Sequence, residues 1–292
     1  MIVIELAKLL RRGRTWTSIG LLCALPAVVA VFLATTEISP PPGQGAAFLS
    51  AVLRAGTLYP AAALALVLPV FLPIAVVLVG GDSVAGEASA GTLRYLLIRP
   101  VGRTTLLVAK LVALTAFVVL AVALVAGTSL LVGIALFGVG DATTVLQPLP
   151  PAPDGSAPSG AGPPGSVTSL SGTTLTPEQL TLRLLGAMGY VTLSMLGLGA
   201  IALFLSTVTD SALGAALGAL AALVSSQVLV TLDAAGSIRP YLPTRYWLSW
   251  VDFFREPLFL YDVQRGLVLQ ACYVLVFFAA AWANFSTKDI TS

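Results

Sequence analysis

Six apolar runs, each about as long as a bilayer-crossing helix, constrain this chain more than any other feature. They extend from Trp16 to Thr36, Leu58 to Gly80, Leu106 to Phe137, Leu182 to Thr207, Ala212 to Leu232 and Leu267 to Asn284. A helix needs roughly 20 mostly apolar residues to cross the hydrocarbon layer, because lipid offers no partner to an open backbone group. Only Lys110 and Arg183 bring charge into these runs, each near a run's end. Charged residues make up 10% of the 292 positions, against roughly 25% in soluble domains. Apolar residues reach 57% before the 27 glycines are counted, and mean hydropathy is +0.97. A soluble globule of this size cannot cover itself with so few charges. The expected fold class is an all-α polytopic membrane protein with six transmembrane helices. The third run exceeds one bilayer thickness, so it is predicted to tilt or project. Pro26, Pro69 and Pro73 are predicted to kink their helices, which packed neighbours tolerate.

Lysine and arginine in short loops set the orientation. Lys8, Arg11, Arg12 and Arg14 precede the first run, and Arg94, Arg99, Arg103 and Lys110 lie between or just after the second and third. An even number of crossings puts both clusters on one side, expected to be cytoplasmic, with both termini and Lys288. The segment from Gly138 to Thr181 carries Asp141, Asp154 and Glu178 but no basic residue, as an external loop should. One segment argues the other way: Arg239, Arg245, Arg255 and Arg265 fall in the outer loop before the last run, balanced by Asp233, Asp252, Glu256 and Asp262. The first run is too long for the core of a cleaved signal peptide, and five more follow it.

Residues 1–14 read as an amphipathic interfacial helix, with Ile2, Leu6 and Leu9 on one face and Glu5, Lys8 and Arg12 on the other. Within the external loop, residues 139–178, the Pro/Gly/Ser/Ala tract 147–165 cannot bury enough apolar surface to offset its ordering entropy. Thr176 and Pro177 then mark a helix start, as cap and first helical residue. Residues 233–265 are crowded with Tyr241, Tyr246, Trp247, Trp250, Phe253, Phe254, Phe259 and Tyr261, a density that suits the headgroup layer. Gly214 and Gly218 have the G-x-x-x-G spacing that lets two helices approach closely.

Several chemistries lack their residues. The chain has no histidine, which removes the commonest metal ligand and general base. A net charge of +2 gives nucleic-acid binding no electrostatic support. No lysine follows a glycine, so a phosphate-binding loop is absent. Gly197-x-Gly199-x-x-Ala202 imitates a dinucleotide fingerprint but lies inside an apolar run, where it reads as helix packing. Asn284-Phe285-Ser286 matches a glycosylation acceptor on the predicted inner side. Cys23 and Cys272 fall at different predicted depths, against pairing.

The inner segment from Gly81 to Lys110 is the most informative. Asp82 is placed to cap a short helix, and Pro100 to stop it. Leu93, Leu96 and Leu97 form an apolar stripe, with Glu87, Arg94 and Arg99 supplying charge. Such a helix can dock into a groove on a soluble partner. Glu87 is placed to pair with a partner cation, and Gly91 allows a bend or a close backbone approach.

The run Glu87-x-x-x-Gly91-Thr92-Leu93, followed by Leu96-Leu97-x-Arg99-Pro100-x-x-Arg103 and Lys110, resembles the signature loop of type-2 ABC exporter permeases. With the topology, the likeness covers most of the chain. It implies a single transmembrane domain, residues 1–292, acting as the permease of an ATP-driven exporter. It also implies two copies of a cytosolic ABC ATPase and a second permease, identical or homologous. By this resemblance the chain is not an enzyme and binds no cofactor, ATP and Mg belonging to the ATPase. Residues 82–99 become its cytoplasmic coupling segment, with Asp82, Glu87, Gly91, Thr92, Leu93, Arg94, Leu96 and Leu97 facing the ATPase. Ala88, Ser89 and Ala90 stand where many relatives carry a second acidic residue. Residues 233–265 become short re-entrant helices of an outer gate, with Arg245, Tyr246, Trp247, Trp250, Asp252, Arg255 and Glu256 as its candidate residues. Gly214 and Gly218 become the dimer packing. The apolar spans suit a lipid or drug-like cargo moved out across the cell membrane. The rival readings are an ion-coupled secondary transporter, which needs ionisable groups at mid-depth, a polytopic membrane enzyme, which needs clustered His, Asp or Glu, and a non-transporting structural subunit.

Overall fold

The computed structural model describes residues 1–36, 56–91, 102–139, 167–168 and 174–287. Its elements in chain order are α1 (Ile2–Arg11), α2 (Gly13–Thr35), a 3-10 turn (Gly56–Leu58), α3 (Tyr59–Val67), α4 (Phe71–Asp82), α5 (Ala85–Ser89) and α6 (Arg103–Phe137). They are followed by β1 (Val167–Thr168), β2 (Thr174–Leu175), α7 (Pro177–Val208), α8 (Ala212–Thr231), three 3-10 turns (Asp233–Ala235, Arg239–Tyr241, Ser249–Phe254) and α9 (Tyr261–Thr287). The two strands pair antiparallel, Val167 with Leu175. The tract 147–165, with Asp141 and Asp154, lies outside the described residues, as does Lys288.

Among the described residues, five helices are long and apolar enough to cross a membrane: α2, α6, α7, α8 and α9. The second apolar run differs from the expected single helix. Residues 56–67 and 71–82 meet at 59°, and only together are they long and apolar enough for one span. Pro69 sits in the break and Pro73 in the first turn of α4, where a missing amide donor is tolerated. Pro26 remains inside α2, and its carbonyl accepts a hydrogen bond from the Tyr59 hydroxyl. At 35 residues, α6 spans about 52 Å at 1.5 Å per residue, well beyond a hydrocarbon layer.

At the centre lies α7, with 67% of its most apolar window buried, against 17% in α9. Small residues make that possible. A Cβ on Gly199 would come within 2.8 Å of Leu114, and one on Gly80 within 2.9 Å of Ala202. Gly199 and Ala202 of the false dinucleotide motif are therefore packing positions, which let α4 and α6 lie close against α7, and its Gly197 packs against Gln270 of α9. Thr176 caps α7 in a capping box with Gln179, and Pro177 opens the helix, as the sequence predicts. At the α1 end of the bundle the Arg103 guanidinium donates to the carbonyls of Phe285 and Ser286, a cation at the C-terminus of α9.

Candidate functional site

At that same end, α4 finishes at Asp82, the chain turns, and α5 leads to Gly91. Asp82 does not cap α5. Val84 holds the cap position with no side-chain cap bond, and the Asp82 carboxylate lies against Gly86 and pairs with Arg12 at 2.6 Å. The capping instead comes from α7. Ser206 Oγ accepts from the amides of Val84 (3.0 Å) and Ala85 (2.8 Å) and donates to the Gly81 carbonyl (2.7 Å). One buried hydroxyl thus fastens both arms of the elbow. Gly91 adopts φ +68°, the left-handed bend that glycine favours, and among the described residues a Cβ there would meet nothing within 4 Å. Thr92, Leu93, Arg94, Leu96 and Leu97 lie outside the described residues.

Glu87 departs most from its predicted role. It is 5% exposed, and its carboxylate meets Lys8 of α1 at 3.0 Å and Lys110 of α6 at 2.8 Å. Those cations belong to this chain, so the expected pairing with a partner's lysine or arginine is replaced by an internal one. Glu5 completes the cluster, 3.0 Å from Lys8 and 3.6 Å from Lys110. Lys110 also donates to the Ser83 carbonyl. Two carboxylates and two ammonium groups therefore join α1, α5 and α6. Burial alone would raise Glu87, but Lys110 and Lys8 hold it below the ordinary carboxylate value. For Lys8, burial would lower it, and the bonds and charges of Glu5 and Glu87 outweigh that and raise it.

This cluster also corrects the face assigned to α1. Glu5 and Leu9 point into the protein, while Ile2, Val3, Ile4 and Leu10 are exposed. A carboxylate takes the inward face because two buried or half-buried lysines await it. Beside the cluster opens a cleft of about 430 Å³, bounded by α1, α2, α4, α6 and α8.

At the opposite end, the aromatic segment divides. Tyr246, Trp247, Trp250 and Phe254 are buried, whereas Tyr241, Phe259 and Tyr261 are exposed. The Tyr190 hydroxyl of α7 donates to the Tyr246 carbonyl at 2.6 Å. A Cβ on Gly266 of α9 would come within 2.9 Å of the Tyr246 Cβ. The first group is thus a plug wedged against α7 and α9, not a headgroup belt. Glu256 pairs with Arg183 of α7. Asp252 pairs with Arg255 at 3.3 Å; burial raises Asp252 above its ordinary value, Arg255 opposes this and Asp262 adds to it. Arg245 is exposed, its guanidinium 5.8 Å from its neighbour Tyr246's ring centroid. Of the charged gate candidates, Asp252 thus pairs with Arg255 and Glu256 with Arg183 of α7, a residue outside the candidate set.

Gly214 is exposed and close only to Ser211 of its own turn, whereas a Cβ on Gly218 would meet Leu205 of α7 at 3.2 Å. The G-x-x-x-G pair is split: Gly218 serves packing within the chain, and Gly214 keeps an open face.

A family model described as "Protein of unknown function (DUF2705)" matches residues 25–291. The chain belongs to the DUF2705 family. No curated protein matches it. The family match spans the elbow and the plug but begins after α1, so it contains Glu87 and Lys110 and leaves out Glu5 and Lys8.

Proposed function

We propose that this DUF2705 chain is the six-span permease subunit of an ATP-driven ABC exporter in the cell membrane, with both termini cytoplasmic. The bent pair α3–α4 counts as the second span. The chain itself performs no catalysis; ATP and Mg are bound by two copies of a cytosolic ATPase, and a second permease completes the pore. The cargo is apolar or amphipathic.

The observation that carries this reading is the braced elbow at residues 81–91, beside a loop that resembles the exporter coupling motif. A lever must not yield before it moves its load. Here Ser206 fixes the elbow to α7, and the Glu5–Lys8–Glu87–Lys110 cluster fixes it to α1 and α6. A push on the segment after Gly91 would therefore be delivered to α1 and to the two long helices α6 and α7 together. The Asp, Glu, Lys and Arg residues within the described spans lie no deeper than about two turns from a helix end, Lys110 and Arg183 being the deepest, which favours an external energy source over an ion relay. At the other end, the plug of Trp247 and Trp250 against α7 supports a gate at the exit.

Purification in a mild detergent tests the reading. The chain is expected to retain a soluble ATPase whose hydrolysis it stimulates. Quantitative recovery of the chain without any ATPase, from cells that express its genomic neighbours, would overturn it.

A further inference from the structure

The cleft beside the ion cluster has no role in the coupling argument, and its lining is divided by chemistry. The cluster forming its floor, Glu5, Lys8, Glu87 and Lys110, is neutral in sum. The rim charges are Arg12, Arg14 and Asp82. Asp82 is taken by Arg12 at 2.6 Å, while Arg14 lies 3.7 Å from it with its side chain 86% exposed. The rim therefore carries one net positive charge, and the Arg14 guanidinium keeps most of its five donors available.

Two helix N-termini border the same cleft. The first turn of α2 contributes Arg14 and Thr15 to the lining, and the first turn of α8 contributes Ala212 and Leu213. Neither first turn contains an acidic residue, but the Asp82 carboxylate lies at the start of α2 and Ser211 Oγ already accepts from the Gly214 amide of α8, so the contact with an anion falls to Arg14. Ser18 adds a hydroxyl, while that of Thr17 donates to the Arg14 carbonyl. Deeper along α4, α6 and α8 the lining turns apolar, with Leu78, Val79, Leu114, Leu213 and Ala216. Leu78 and Leu213 are 47% and 66% exposed, so this wall continues out to the lateral surface, where acyl chains lie if the helices are embedded.

We infer that the cleft binds an anionic amphiphile, its acidic headgroup at Arg14 near the start of α2, its chain along Leu78 and Leu213. The volume suits a phosphate-sized head and the start of a chain, and a soluble anion would leave the apolar wall unused. As the cargo of the permease this ligand rests on the function proposed above; its binding does not, because the isolated chain is sufficient to test it.

The purified full chain in neutral detergent is titrated with phosphatidylglycerol, phosphatidylcholine or inorganic phosphate, and the shift in unfolding midpoint is followed. A saturable rise with phosphatidylglycerol alone is expected. Arg14→Gln is expected to weaken it about tenfold or more, the value of one charge-assisted hydrogen bond. Arg11→Gln, which removes the same charge from an exposed residue outside the cleft, is expected to leave it unchanged. Equal loss in both variants, or loss in neither, overturns the site. An equal response to inorganic phosphate overturns the amphiphile. Either failure leaves ATPase retention unaffected, so the two readings fail separately.

Discussion

Replacing Glu87 by glutamine tests whether the ion cluster holds the elbow. The change keeps the side chain's size and removes one negative charge. The cluster then goes from neutral to one net positive charge around Lys110, whose side chain is only 2% exposed. Removing one member of a buried pair costs about 3–5 kcal/mol. Two features place this site at the lower end: Lys110 keeps Glu5 at 3.6 Å, and Lys8 is 36% exposed and screened by solvent. A loss of about 3 kcal/mol corresponds to a fall of about 6–12 °C in unfolding midpoint for a chain of this size. Tryptophan fluorescence during heating in mild detergent reads it, since Trp247 and Trp250 are buried far from the substitution and report the whole bundle. The double variant Glu87→Gln/Lys110→Gln is neutral again and retains the 3.0 Å Glu5–Lys8 pair. It is expected to recover at least half of the loss. A single variant as stable as the parent, or a double variant less stable than the single, would refute the electrostatic account.

Ser206→Ala leaves the Val84 and Ala85 amides without their acceptor and is expected to cost about 2–4 kcal/mol; Ser206→Thr, which keeps the hydroxyl, should cost clearly less by the same melt. Gly133→Ala drives a Cβ to 2.4 Å from the Gly56 carbonyl oxygen and 2.6 Å from Tyr59 Cβ, so a destabilisation of about 1–3 kcal/mol or more is expected. Gly20→Ala meets nothing within 4 Å and should stay within about 0.5 kcal/mol. Gly214→Leu, on the open half of the G-x-x-x-G pair, should leave the melt unchanged but shift the chain towards monomer in light scattering after gel filtration. An unchanged mass distribution would remove Gly214 from any dimer contact.

The pH dependence of the cluster follows from the two displaced groups. Glu87, lowered from 4.5, stabilises the fold above that value and loses its contribution as pH falls through its lower folded value. Lys8, raised from 10.5, contributes below that value and loses it as pH rises through its higher folded one. The stability difference between parent and Glu87→Gln should therefore be flat between 4.5 and 10.5 and shrink outside. A titration inside that window would show that the partners are misassigned.

Local composition was enough to locate the membrane helices. A run of uncharged residues cannot leave its backbone open in lipid, so five of the six runs became single helices with ends within a few residues of those read from the chain, and the second became a bent pair. The start of α7 was equally local, because Thr176, Pro177 and Gln179 satisfy one another within a single turn. The break near Pro69 was legible as a kink, but its 59° angle was not, since a proline removes a donor without deciding where neighbours will press.

The roles of the charges were decided elsewhere. Lys8 and Glu87 are 79 positions apart, and Arg183 and Glu256 are 73 apart; no local pattern records such pairs. Sequence spacing put Glu87 on a polar face and assigned it to a partner. Folding brought α1 and α6 to the same end of the bundle, where a buried lysine makes a free carboxylate untenable. The same convergence gave Ser206 two amides to hold and left α2 and α8 bordering one cleft. The chain's apolar periodicity dictates which segments are withdrawn from water, a property each segment has alone. Which charge neutralises which depends on distances between segments, and only their packing sets those.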